Sequence, residues 1–435
     1  MYRMDGYRSH DFTIDLRNNR AEGNCYTVLI GPNGTGKSRL LGEIARSATY
    51  PEQTTRQDHA QQPTKILAIS NLVTDNFPFP RQPAPQYRYL GLRQASNSMT
   101  TGAVQASLAQ YLTEIELSNR TTFDVNTLTH YIGIPNPSLK VIFPKSYKDP
   151  IKINRRVLQI VESNDNTLNW NDLDGIQNEI SNLVHTYEIE EHGSDREVSR
   201  DYIEFRSDFG IDNENQNPSA RPTFKYLAEY LRSQQSIHYV SNQDAVTLLQ
   251  KRFGIRLKVD FGKDRQALSG GQALLLSMIF RLMAAIEPSS LILIDEPETG
   301  LHPEWQADFI RLIDSLVPSD YGCHFLIATH SPYIAANATN ILSPNVDSGF
   351  DEFKTDHRGM SIESLIYKVF ETRVVGNYST ERDLTTVVDW ISQGTAAADP
   401  LVNDAARRLK IFASKDSPTL NSILSEFEQM VEGIR

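Results

Sequence analysis

Cysteine is nearly absent: Cys25 and Cys323 are the 2 in 435 residues. Two thiols cannot build the disulfide framework of a small secreted fold, so a reducing, cytoplasmic setting is expected. Both flank apolar segments, where buried, inert thiols are the simple reading. Long apolar runs are missing too. The longest, around Ala273–Phe280, falls far short of the roughly 18–20 residues a membrane span needs, so none is expected. Residues 1–15 carry Arg, Asp and His where a secretory signal would have an apolar core. Excess positive charge is also lacking: 43 Lys and Arg against 54 Asp and Glu leave a net charge of −11. That excludes a polybasic coating protein, though not a local basic groove. There is no repeat at solenoid or propeller spacing, and no heptad pattern persists, so a long coiled coil is excluded. At 39% hydrophobic and 22% charged, the chain can bury a sizeable core.

What is present is a set of motifs on recognisable elements. Tyr26–Ile30 reads as a strand, and a helix is expected from Lys37 to about Ala48. Between them lies Gly31-Pro32-Asn33-Gly34-Thr35-Gly36-Lys37-Ser38, a G-x-x-x-x-G-K-S loop in strand–loop–helix context. Its glycines let backbone N–H groups turn inward around phosphates, with Asn33 and Thr35 in the same cradle. Lys37 reaches the outer phosphates, the Ser38 hydroxyl suits Mg²⁺, and the helix aims its positive end at the same anion. ATP and Mg²⁺ are the expected ligands.

Leu291–Glu298 (L-I-L-I-D-E-P-E) is an unbroken apolar run ending in acids. Strands buried on both faces look like this, with their carboxyl ends opening on a site. Asp295 is placed to hold Mg²⁺, and Glu296 to orient or deprotonate an attacking water. Leu268-Ser269-Gly270-Gly271-Gln272 opens an apolar helix running to about Ile286. Ser269 with Gln272 is a capping box, but that does not account for two adjacent glycines. Glycines there let a ligand approach bare N–H groups. His330 ends the strand His324–Thr329, before Ser331-Pro332, an N-cap and first-turn pair.

In this order the motifs resemble the ATP-binding-cassette ATPases. The resemblance implies an α/β ATPase head with a mostly parallel sheet plus antiparallel N-terminal strands. It also implies ATP clamped between two copies, with Ser269, Gly270, Gly271 and Gln272 of one facing the Lys37 loop of the other. Glu296 would be the catalytic base, His330 the γ-phosphate sensor, and Lys37 the third catalytic group. Glu296–Pro303 (E-P-E-T-G-L-H-P) is similar to the form in the SMC-, RecF- and OLD-like branch. That branch also has a glutamine on the metal; Gln94 is the candidate, with Gln86 second.

The expected organisation is residues 1–99 as an N-terminal lobe and 100–260 as an inserted, mostly helical subdomain. Residues 261–345 form a C-terminal lobe, and 346–435 a helical tail. Two basic stretches stand out: Lys140, Lys145, Lys148, Lys152, Arg155 and Arg156, then Lys251, Arg252, Arg256, Lys258, Lys263 and Arg265. Each is either a solvated face or a phosphate-contacting surface for DNA or RNA. His185 and His192 lack the spacing of a helical metal site. The expected function is an ATPase that self-associates around ATP and regulates a separate effector, such as a nuclease, in anti-phage defence. The alternatives are a RecF-like repair ATPase and the energising subunit of a transporter.

Overall fold

In a computed structural model, the described residues are all of 1–435 except 5, 10–11, 17–22, 50–61, 73, 80–83, 85, 94–100, 119–122, 145–154, 165–166, 192–201, 209–233, 235–236, 238–239, 262–267, 346–348, 354–356, 358–359, 371–377, 395–399, 412–417 and 434–435. The strands in chain order are β1 (Gly6–Arg8), β2 (Thr13–Asp15), β3 (Cys25–Leu29), β4 (Ile66–Ser70), β5 (Tyr87–Tyr89) and β6 (Ser138–Pro144). After them come β7 (Tyr202–Asp208), β8 (Arg256–Asp260), β9 (Leu291–Asp295), β10 (His324–Ala328), β11 (Asn340–Pro344) and β12 (Phe350–Glu352). The chain divides into two compact units. One comprises Met1–Tyr89, Glu287–Asp314 and Ser319–Arg435, the other Leu90–Ile286 and Ser315–Pro318.

The first unit is built on a nine-stranded sheet in the order β1-β2-β12-β11-β3-β10-β9-β4-β5. From β11 to β5 every neighbouring pair is parallel. The antiparallel pairs are β1 with β2 and β11 with β12. The expected mostly parallel α/β sheet with antiparallel N-terminal strands is therefore what forms. The central strands β3, β4, β9 and β10 are buried at every position, and their largely apolar sequences suit strands covered on both faces. Leu40, Leu41, Ile44 and Ala45 of the helix Lys37–Thr49 share one core with Leu29, Leu293, Leu326 and Ala328. Each such leucine contributes about 1.5–3 kcal/mol. The helix is thereby held at the carboxyl edge of β3, β9 and β10, where the motif residues emerge.

The helical tail forms as expected. Tyr378–Gln393, Pro400–Ile411 and Pro418–Gly433 enclose their own core around Val387, Leu409 and Phe427. Arg408 grips the buried Asp383 through two bonds of 2.7 and 3.1 Å.

The second unit is helical but also contains a three-stranded antiparallel sheet, β7-β6-β8, which is absent from the sequence reading. Leu139, Val141 and Phe143 of β6 point inward and are fully buried. Lys140 of β6 and Arg256 and Lys258 of β8 are the cations that made these two strands read as parts of basic stretches. The helix Gly270–Ala285, expected in a lobe with β9, belongs to this unit. Its Arg281 is the largest fully buried side chain among the described residues, bonded to the carbonyls of Ser277 and Leu90.

Candidate nucleotide-binding site

The loop after β3 turns through Gly34 at φ +85° and Gly36 at φ +90°, a backbone region that other residues enter at a cost. At Gly36 a Cβ would also lie 2.8 Å from the Phe12 ring. Lys37 is 5% exposed. Its Nζ donates to the carbonyls of Gly31 at 2.8 Å and Pro32 at 3.2 Å, and lies 3.0 Å from His330 Nε2. The first turn of the helix Lys37–Thr49 carries no acid, so its positive end is uncompensated by any carboxylate of its own.

Asp295, the last residue of β9, is buried and accepts the Ser38 hydroxyl at 2.8 Å. Glu296 follows at φ +47°, with its N–H on the Ala328 carbonyl at 2.9 Å. A non-glycine residue there costs about 1–3 kcal/mol, a strain typical of functional turns. Its carboxylate stands 3.9 Å from His330 Nε2. Glu298, two residues on, accepts the His330 backbone N–H at 2.6 Å. Ser331 caps the next helical turn and donates its hydroxyl to Gln306 at 2.7 Å.

Charge is concentrated here, and burial sets its state. Burial pushes Asp295 up to about 7, with Glu296, Asp75 and Glu298 adding to the rise and the Ser38 bond opposing it. Burial also raises Glu298, against the pull of the His330 N–H. Lys37 is lowered by burial, although the three carboxylates of this edge draw it back up. His330 is lowered by burial and by the Lys37 charge. A buried acid with several acidic neighbours is a place that a cation relieves.

The structure thus brings Lys37, Ser38, Asp295, Glu296 and His330 to one sheet edge. Ser269, Gly270, Gly271 and Gln272 lie in the other unit. The capping box forms in full: Ser269 Oγ accepts the Gln272 N–H at 3.2 Å, and Gln272 Oε1 accepts the Ser269 N–H at 2.8 Å. Around Gly270 a Cβ would meet nothing within 4 Å, so local packing does not demand a glycine there. Gln94 lies outside the described residues. Gln86 precedes β5, which puts it at the amino edge of the parallel sheet, away from Asp295.

Glu298 and Gln306 were missed as site residues. The first was visible in the E-P-E triplet, but its partner is a backbone N–H that no spacing reveals. Of the basic stretches, Arg156 is paired with Asp244 at 3.0 Å and Arg252 with Asp174. Lys140 and Lys258 sit directly opposite each other on β6 and β8. Lys145, Lys148, Lys152, Lys263 and Arg265 lie outside the described residues, as does His192.

Residues 264–336 match the family model described as "AAA domain, putative AbiEii toxin, Type IV TA system". The match takes in the Ser269 helix, Asp295, Glu296 and His330. Together with the phosphate-loop geometry, it supports an AAA-type ATPase domain in this part of the chain. A curated relative, protein ea59 of Escherichia phage lambda, is 33% identical over 95 residues. The match covers 19% of this chain and 18% of the phage protein, so the chain spans under a fifth of that relative. Among solved structures, a nucleotide-free ATP-binding cassette from an ABC transporter is similar at 12% identity and a TM-score of 0.27, over 79% of this chain and 86% of that one. The ADP conformation of another such cassette gives 12% and 0.29, over 79% and 84%. Superpositions this loose do not bear on function. No described helix is long and apolar enough to cross a membrane.

Proposed function

We propose that this chain binds and hydrolyses ATP as a self-associating switch. The observation that carries the reading is the convergence at one sheet edge of Lys37, Ser38, Asp295, Glu296 and His330. The loop N–H groups and the helix end hold the phosphates, and Lys37 neutralises the outer ones. Mg²⁺ fits the donor set: Ser38 and Asp295 present hard oxygens side by side, and Asp295 is buried among other acids. Among the described residues no group of three or more His, Cys, Asp or Glu forms a self-contained metal cage. That suits an ion held by one or two side chains plus substrate phosphates. When bound, Mg²⁺ supplies neutralisation of phosphate charge.

Glu296 is the base that orients and deprotonates the attacking water. His330, whose charged form is disfavoured by burial and Lys37 and favoured by Glu296, offers a hydrogen bond at the transferred phosphoryl. Ser269 and Gly270 are exposed at the start of their helix. In a self-associated pair they are free to meet the nucleotide of the other copy. The switch would act on a separate nucleic-acid-directed effector, and the toxin–antitoxin wording of the matched family favours a defence setting. No observation favours the repair or transporter alternatives.

The test is Glu296→Gln in the full chain. ATP turnover should fall about 10²–10⁴-fold while nucleotide binding persists. Light scattering should show a larger species with ATP and Mg²⁺ than without. A wild-type chain that releases no phosphate and keeps one mass with or without ATP would overturn the reading.

A further inference from the structure

Two turns carry the groups assigned to hydrolysis. Glu296 sits after β9 and His330 after β10, on strands paired in register with Ala328 opposite Asp295. Pairing ends at those residues, so something beyond the ladder must set the distance between the carboxylate and the imidazole. One tie is the Glu296 N–H to the Ala328 carbonyl at 2.9 Å. The other is a side chain: Glu298 Oε1 accepts the His330 N–H at 2.6 Å.

That second tie is chemically unusual in three ways. It places a carboxylate in a buried setting, where such a charge is costly unless it is paired, and its foremost partner is the His330 backbone N–H. Its other oxygen, Oε2, is buried with no hydrogen-bond partner among the described residues. A neutral residue would fill the same space without adding charge beside Asp295 and Glu296. A charge-assisted bond is roughly twice as strong as a neutral one and shorter, as this one is. The Glu298 carbonyl also takes the Leu301 N–H at 2.9 Å, which fixes the turn from which the side chain reaches.

We infer that Glu298 is a positioning residue, which holds the His330 backbone so that the imidazole stands between Lys37 and Glu296. It touches neither nucleotide nor water in this role, and acts through His330 alone. The inference rests on the proposed ATPase reading for its kinetic consequence, but not for the contact itself.

The test uses Glu298→Ala, Glu298→Gln, His330→Ala and the double variant Glu298→Ala/His330→Ala in the full chain. Glu298→Ala should lower kcat for ATP roughly 10–100-fold, the scale expected of a misplaced group, with KM unchanged. Glu298→Gln keeps an oxygen for the N–H and should recover most of the rate. In the His330→Ala background, Glu298→Ala should add no more than about a twofold loss, because coupled residues do not act additively. Equal losses in both backgrounds, or an unchanged kcat, would overturn the inference. A second readout does not need turnover. The His330 amide proton should resonate far downfield in wild type and Glu298→Gln, and move upfield in Glu298→Ala. An ordinary His330 amide that Glu298→Ala leaves in place overturns the inference even in an active enzyme. A downfield amide that Glu298→Ala removes, in a chain without ATP turnover, upholds the contact and sinks the ATPase reading.

Discussion

Two histidines bracket β10 and share almost nothing else. His324 at the amino end is fully buried, with Nδ1 accepting the Met4 N–H at 3.0 Å and Nε2 2.9 Å from the Thr27 hydroxyl. His330, just past the carboxyl end, has a third of its side chain exposed and faces Lys37 and Glu296. Around the first, Arg3 spends its guanidinium on the carbonyls of Tyr2, Gly23, Gly322 and Cys323. Around the second, like charges crowd together and one carboxylate oxygen is left without a partner. A single strand therefore has one end whose polar side chains are tied mainly to backbone groups and another where charged side chains face one another. Satisfied polar clusters make structure; crowded, strained ones make sites.

The contrast can be broken from either side. The largest expected effect on stability is His324→Ala, which strands the Thr27 hydroxyl and the Met4 N–H and opens a cavity. It should cost about 3 kcal/mol or more, read from denaturant unfolding of the full chain. Next is pH. Burial, with a smaller push from Arg3, holds His324 down to about 3. Below about pH 6.5 the unfolded chain gains a proton that the folded chain refuses, so stability falls as pH drops from about 6.5 toward about 3. The limiting slope from this residue is about 1.4 kcal/mol per pH unit, and His324→Gln should flatten that part of the profile. The smallest effect belongs to His330→Ala, which should shift stability by no more than about 0.5 kcal/mol. A large loss there would mean that the carboxyl edge, too, is structural.

How much could be read in advance follows the same division. β3, β9 and β10 were visible because each is a largely apolar run ending in a motif, and their limits fall within a residue or two of expectation. The phosphate loop and Asp295-Glu296 were visible because their chemistry demands certain residues at short spacing. β6, β7 and β8 were not, since β7 and β8 alternate apolar residues with charges and all three pair with strands far along the chain. β11 was hidden by lying among polar neighbours, and β12 by its shortness as well. The task of Glu298 is not legible in the sequence, because its partner is the backbone N–H of His330 in the turn after β10. The capping box was seen and forms, which leaves Gly270 as the part of that motif without a local explanation.

The strand order has a consequence for how the chain is made. β3, which launches the phosphate loop, lies between β10 and β11. On a ribosome working from the amino end, β3 and its loop emerge before either flanking strand, β10 or β11, has been translated. The residues in between can fold as the second unit while β3 waits, since domains fold as units during synthesis. A prematurely ended chain would display the loop sequence without the sheet that shapes it. Such long-range pairing also predicts slow refolding from denaturant, with the loop among the last parts to regain its shape.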